Sequence, residues 1–427
     1  MRGGYVRPKV SELMRSFFSW MDYSEHERRE ALDIIDLFRE QDTRDELGIG
    51  TVRDAFADLL FPGTSTIQTR ARYFLFVPWI YLEMERSRVP SGQVAGRARS
   101  EEIALIGALM KAGDADGVIG KEVGKGLKRL PSNIYWLGLR TWKIRRFPGS
   151  QDQYHRTLDR FYQWDERSNP QVRNDDGEPV DGVVVSNWDA AIPPRPRDFP
   201  RGASLRLSQE EAGYLIERIV QSVPGTLLAL LVERGEVFEP VRFPWVHPCI
   251  SELPARLRGQ LIHARNFSEC MHGAALLYNL MLAELAKNQT RVDEYRRDLT
   301  EWSLRVGDRA SDLATWDRRR FWEVALSGGA RIPLPTRTFI DGWLDLALGD
   351  GDVVHCSGRV AANDDARWLI HKRERAIKRD RARLDNRRAL ELWSGAAGTA
   401  QLTYRWPVAQ RIILDIIDGL TRQDSDV

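Results

Sequence analysis

Apolar positions recur at helical spacing along most of the chain. Residues 24–41 open with Ser24-Glu25-His26-Glu27, a capping-box pattern, and carry Leu32, Ile34, Ile35 and Phe38 on a helical repeat. Thr51 is placed to cap a short helix bearing Val52, Ala55, Phe56, Leu59 and Leu60, which Pro62-Gly63 ends. Ser65-Thr66-Ile67-Gln68 repeats the capping box and predicts that the next helix starts at once. From Tyr73 to Leu82 that helix is apolar on every side, the pattern of a buried central helix, and Pro78 predicts a kink in it. The run is too short to span a membrane, which takes roughly 18 apolar residues or more.

Helical periodicity over 98–112 changes at Gly117 into two short helical patterns separated by Leu130-Pro131-Ser132, and a helix over 151–165 follows. Six prolines fall within residues 168–204, where only VDGVVVSNW looks strand-like, so a linker or long surface excursion is expected there. Ser208-Gln209-Glu210-Glu211 then starts another helix, with Leu215, Ile216, Ile219 and Val220 on one face. The pattern from Leu257 to Leu285 predicts a long or broken buried helix, and 290–306 a charged surface helix. GDVVHC (351–356) is the best candidate for a further strand, 362–393 predicts a basic helix, and Val408–Leu420 a closing amphipathic one. The expected fold is mainly α with a few short strands. It divides into an N-terminal helical domain (1–166), the proline-rich stretch (167–204) and a C-terminal helical domain (205–427).

Composition narrows the function classes. A chain of 427 residues, 42% hydrophobic and 29% charged, has the make-up of a globular protein that needs no staples. Three cysteines argue against a disulfide framework, and the N-terminus lacks the apolar run of a signal peptide, so a cytoplasmic location is expected. Each cysteine lies within two residues of a histidine (His247 and Cys249, Cys270 and His272, His355 and Cys356). Residues two apart on a helix face nearly opposite ways, so neither metal nor cofactor is expected. With a net charge of +2, affinity for nucleic acid has to come from local clusters of Lys and Arg. Fourteen tryptophans suit base stacking and helix-core edges equally.

Two such clusters exist. Between Gly117 and Phe147, Lys121, Lys125, Lys128, Arg129, Arg140, Lys143, Arg145 and Arg146 face a single acid, Glu122. Two short helices followed by a basic segment give a winged-helix-like layout, with Tyr135, Trp136 and Trp142 available to stack on exposed bases. A solvated basic surface is the competing reading. In HKRERAIKRDRARLDNRR (371–388), which includes Lys372, Arg373, Lys378 and Arg379, nine Lys or Arg meet three acids. Ile370, Ile377 and Leu384 recur every seven residues, so one stripe faces the protein or a partner helix while the rest points outward, where it can lie along a phosphate backbone or serve as an ordinary charged surface or interface helix.

The block from Glu46 to Tyr81 is the third candidate. Thr64, Ser65 and Thr66 at a predicted helix start suit an anion, with Arg70 or Arg72 as charged partner. Glu46, Arg53 and Asp54 read either as buried ion pairs or as weak catalytic candidates, and Asp58 shares a helix face with Asp54. No Walker A loop, GxSxG elbow, HExxH pair or GxGxxG fingerprint occurs, so whether the chain is an enzyme stays open.

The segments ELGIGTVRDAFADLLFPGTSTIQTRARYFLFVPWI, LPSNIYWLGLRTWKIRRFPGSQDQYH, HARNFSECMHGAALLYNLMLAEL and HKRERAIKRDRARLDNRRALELW resemble an uncharacterised family of bacterial proteins known only as a domain of unknown function. Members of the family that these segments resemble often sit in genomic defence islands beside helicase and phospholipase D-like nuclease genes. The resemblance implies a part in a multi-gene anti-phage system and implies no reaction. The expected function is an accessory, DNA-contacting subunit acting with separate helicase or nuclease partners. A phosphate-processing, nuclease-like enzyme centred on the Glu46–Arg72 block and a non-catalytic scaffold are the alternatives.

Overall fold

The computed structural model describes residues 45–113, 115–168, 186–349 and 351–422, without the side chains of 125 and 164–168. The helix expected over 24–41 and most of the proline-rich stretch lie outside the described residues. Within them the protein is mainly helical, with sixteen α-helices. These are α1 (Gly50–Leu60), α2 (Tyr73–Arg86), α3 (Ser91–Lys111), α4 (Pro131–Thr141), α5 (Gln151–Ser168), α6 (Gln209–Ser222), α7 (Leu227–Arg234) and α8 (Ala255–Leu285). They continue with α9 (Gln289–Gly307), α10 (Ala310–Ala314), α11 (Arg318–Ser327), α12 (Leu334–Leu348), α13 (Val353–Arg359), α14 (Asp364–Lys378), α15 (Arg387–Glu391) and α16 (Trp406–Thr421). The β pairing among the described residues is a single antiparallel bridge between Arg145 and Trp188, at the end of the strand-like VDGVVVSNW segment, whose residues 180–185 lie outside the described residues.

Two helices organise the packing. The apolar run of α2 is buried from Tyr73 to Tyr81, Pro78 lies inside the helix, and α2 packs against α3 and α4. Residues 255–285 form one unbroken helix, α8, which contacts α1, α9, α12 and α14. Gly273 makes the α8–α9 approach possible, because a Cβ there would lie 2.3 Å from the Trp302 ring. Trp302 and Trp343 donate their indole N–H groups to the carbonyls of Glu269 and Cys270 at 2.8 and 3.0 Å, so each ring is buried with its polar edge satisfied. Buried apolar residues form one continuous cluster from Leu47 to Ile417 that draws on both sides of the proline-rich stretch.

Several local expectations are corrected. Asp45, not Thr51, serves the start of α1, its carboxylate accepting the N–H groups of Ile49 and Gly50 at 2.7 and 2.8 Å. Ser65–Gln68 does not begin a helix. Gln68 Oε1 accepts the Ser65 N–H at 3.1 Å, but Ser65 Oγ bonds nothing among the described residues, and helix waits until Tyr73. The reason is tertiary: Tyr135 Oη takes the N–H groups of Thr69 and Arg70, and Asp415 takes that of Ala71, so these donors have partners without a helical ladder. GDVVHC is helical, because Asp352 accepts the His355 N–H and caps α13. The basic helix stops at Lys378, where Arg379 takes φ +51, so Leu384 does not continue the stripe of Ile370 and Ile377.

Candidate nucleic-acid interface

The first basic segment folds around α4. Before it, residues 117–130 form turns and one short 3₁₀ turn, Gly124–Gly126, so one α-helix stands where two were expected. Helix α4 starts at Pro131, whose missing N–H costs nothing at a helix start, with Asn133 Oδ1 accepting the Leu130 N–H at 2.9 Å. Its inner face is fixed by Tyr135, Leu139 and Trp142, all fully buried. Trp142 stacks on Phe74 of α2 at 3.9 Å between centroids and donates to the Pro62 carbonyl at 2.9 Å. Gly63 has φ +85, and a Cβ there would lie 2.4 Å from the Trp142 ring, so only glycine fits beside it. Tyr135, Trp136 and Trp142 are therefore core residues rather than base-stacking platforms.

The outer face of α4 is different. Asn133, Leu137 and Arg140 are exposed at positions four and then three apart, one solvent-facing stripe. Lys128 and Arg129 are exposed just before the helix and Lys143 just after it, while Lys121 is exposed on the preceding turns. No acidic residue occurs between Glu122 and Asp152. The side chain of Lys125 lies outside the described residues. Lys143 ends the helix in the left-handed conformation, φ +56, its N–H donating to the Arg140 carbonyl at 3.0 Å.

Arg145 and Arg146 part company with that face. Arg145 is buried, lies 4.4 Å over the Trp136 ring, and donates to the carbonyls of Trp136, Phe147 and Gly149. Burial first, then the like charge of Arg140, lowers its pKa to about 10. Arg146 is half exposed and reaches Asp189 at 3.2 Å, a carboxylate also held by Arg218 at 2.5 Å.

The second basic segment divides the same way. Arg373 is buried and donates to the carbonyls of Leu47 and Gly48 and to Thr336 Oγ1 at 2.8–2.9 Å. Lys378 contacts Glu46, Glu374 at 3.0 Å and Tyr278 Oη at 2.8 Å. These two anchor the helix to the protein and are not free for phosphate. Burial works to raise the Glu374 carboxyl, but hydrogen bonds from Tyr278, Leu384 and Arg383, with Lys378 beside it, outweigh burial and hold it below its ordinary value. Lys372 and Arg379 are exposed.

The residues of the Glu46–Arg72 block are not gathered into one cleft. Glu46 is buried against Lys378 and Arg383, the latter at 2.9 Å, rather than paired with Arg53. Arg53 and Asp54 pair with each other at 3.1 Å near the surface, where Arg405 reaches Asp54 and Asp58. Arg70 meets Asp415 and Arg72 meets Glu211, both pairs nearly buried. Thr64 Oγ1 donates to the Phe61 carbonyl at 2.6 Å, and Ser65 and Thr66 lie on turns rather than at a helix start.

Two further features carry no residue of these sets. A cleft of about 770 Å³ between α2 and α3 is walled by Glu83, Arg97, Glu101 and Arg195. Its charges answer one another, Arg97 to Glu101 at 2.8 Å and Arg195 to Glu83 at 3.6 Å. Among the described residues no three His, Cys, Asp or Glu groups converge as a metal site, and no helix is long and apolar enough to cross a membrane.

The family of unknown function DUF6361 matches residues 15–419, and the chain belongs to that family. No curated protein and no solved structure matches it. Membership brings no reaction, ligand or partner with it, so function has to be argued from the surface just described.

Proposed function

We propose that the protein is a cytoplasmic, DNA-contacting accessory component that acts with separate helicase or nuclease partners in bacterial anti-phage defence. The observation that carries the DNA contact is the exposed outer face of α4, from Lys128 and Arg129 through Arg140 to Lys143, in a stretch of sequence without an acidic residue; Arg146 beside it is paired with Asp189. Phosphate contacts of this kind orient a protein on nucleic acid without reading sequence, and they release counterions, so affinity falls with salt. Helix α4 has no preceding α-helical partner in 117–130, so the contact rests on its charge and not on a winged-helix pair. The defence role and its partners rest on the family resemblance alone.

The test is fluorescence anisotropy with a labelled duplex of mixed sequence. Expected is binding whose logarithm falls linearly with log salt at about −0.9 per phosphate contacted. Combined Lys128→Glu, Arg140→Glu and Lys143→Glu substitutions, all on exposed side chains, are expected to abolish it without loss of fold. Affinity indifferent to salt, or surviving those reversals, overturns the proposal.

A further inference from the structure

Six of the fourteen tryptophans are among the largest fully buried side chains, yet Trp368 on α14 is 59% exposed. Such a ring in water needs a reason, because tryptophan is ordinarily buried on most of its surface. Its helix neighbours supply one. Lys372 and Arg375 follow at positions four and seven residues on, placing both on the same exposed side over roughly 10 Å of helix axis. The Lys372 ammonium lies 4.6 Å from the centroid of the Trp368 ring. Past the end of the helix, exposed Arg379 and Arg381 border a hollow of about 400 Å³ walled by residues 376–381. Of the acids nearby, Glu374 is fully buried and Asp385 meets His371 at 2.7 Å and Arg375 at 3.9 Å, while Asp364 and Asp365 are exposed in the first turn of α14 and Asp380 is exposed at the hollow.

We propose that Trp368 is a stacking platform for an unpaired base of single-stranded nucleic acid, with Lys372, Arg375 and Arg379 following the phosphates of that strand. The inference deepens the nucleic-acid reading above and concerns a separate surface from α4. An indole offers an unpaired base a flat apolar face, whereas duplex bases have both faces occupied by their neighbours. Cations spaced along the helix beside that face suit the backbone of the same strand. A protein partner fits less well, because lysine is depleted from the cores of protein interfaces and Trp368 is the one aromatic ring on this side of α14, between Asp364 and Asp365 before it and Lys372 and Arg375 after it.

Anisotropy with two labelled probes, an oligothymidylate and a mixed-sequence duplex, tests this on the full chain. Trp368→Ala is expected to weaken the single strand by on the order of tenfold and to leave the duplex unchanged, with Trp368→Phe retaining most of the affinity. Lys372→Ala is expected to weaken the single strand and flatten its salt dependence. Equal weakening on both probes, no change on either, or an altered oligomeric state of Trp368→Ala with unaltered nucleic-acid binding overturns the inference. The two proposals fail separately. Duplex binding that ignores Trp368, with no single-strand preference, sinks the platform and leaves the α4 contact. Trp368-dependent binding of the single strand without duplex binding does the reverse, and binding of neither probe sinks both.

Discussion

The Arg70 guanidinium and the Asp415 carboxylate meet at 2.9 Å although 345 residues separate them, and each side chain is about nine-tenths buried. Asp415 accepts from Arg70 Nε as well and from the Ala71 N–H at 2.9 Å, so one carboxylate satisfies both a charge and the backbone just before α2. It fastens the segment just before α2 to α16, near the end of the described chain, and Arg72 with Glu211 at 2.6 Å fastens the same segment to α6. Within the Glu46–Arg72 block, Arg70 and Arg72 are thus held in ion pairs that join distant parts of the fold, while Arg53 and Asp54 pair near the surface.

Removing one partner of such a pair leaves a buried charge without compensation, which typically costs about 3–5 kcal/mol. Asp415→Asn is therefore expected to lower stability by that order in urea denaturation. Arg70→Met combined with Asp415→Leu is expected to cost less than the single change, because neither side then holds an uncompensated charge. A single substitution within about 0.5 kcal/mol of the parent would show that the pair is dispensable.

The left-handed backbone of Lys143 separates stability from binding. A non-glycine residue there costs roughly 1–2 kcal/mol, while glycine adds back roughly 0.5–1 kcal/mol of unfolded-state entropy. Lys143→Gly is expected to leave the protein as stable or up to about 1.5 kcal/mol more stable, and yet to weaken duplex binding and reduce the salt slope by about 0.9. Thermal denaturation and anisotropy on the same preparation check both halves. A stabilised variant with undiminished binding would mean that Lys143 touches no phosphate.

How much of this was legible in the sequence depends on the range of the interaction. Ser208 and Glu211 cap each other within three residues, at 3.0 and 3.2 Å, and α6 begins where the pattern placed it. Ser65 and Gln68 offer the same letters, but the donors that follow them are taken by Tyr135 and Asp415, 65 and 344 residues away, which no local pattern reveals. The inward turn of Arg373 did have a signal. It lies three residues after buried Ile370 and seven after buried Ala366, on the helix side that faces the core, although Ile377, which the seven-residue spacing placed on the same stripe, is exposed. Lys378 and Glu46 meet only through the tertiary fold, and the exposure of Trp368 depends on which side of α14 faces α8 and α12.

Glu102 on α3 is a buried carboxyl with no cation paired to it among the described residues; it accepts the Ser132 N–H at 2.8 Å and the Ser132 hydroxyl at 2.7 Å. Around Ser132, Gln151 donates to Ser132 Oγ and to Tyr81 Oη, and Tyr81 Oη meets His155 at 3.0 Å. Burial raises the Glu102 carboxyl from 4.5 to about 7, against the two hydrogen bonds from Ser132 that lower it. Below pH 4.5 the folded and unfolded chains both hold this proton, and the group adds no pH dependence. Between about 4.5 and 7 the unfolded chain has released it while the folded one keeps it, so stability falls as pH rises; above 7 both are ionised and the loss levels off. Glu102→Gln stays neutral throughout. Its stability relative to the parent is expected to climb across that window, by an amount on the order of 3 kcal/mol, and to be flat on either side. A hydrogen bond that the amide fails to replace shifts the whole difference curve without changing its slope. Urea denaturation of both proteins at intervals from pH 4 to 8 measures that difference, and a curve without slope between 4.5 and 7 would mean that Glu102 is ionised in the folded protein.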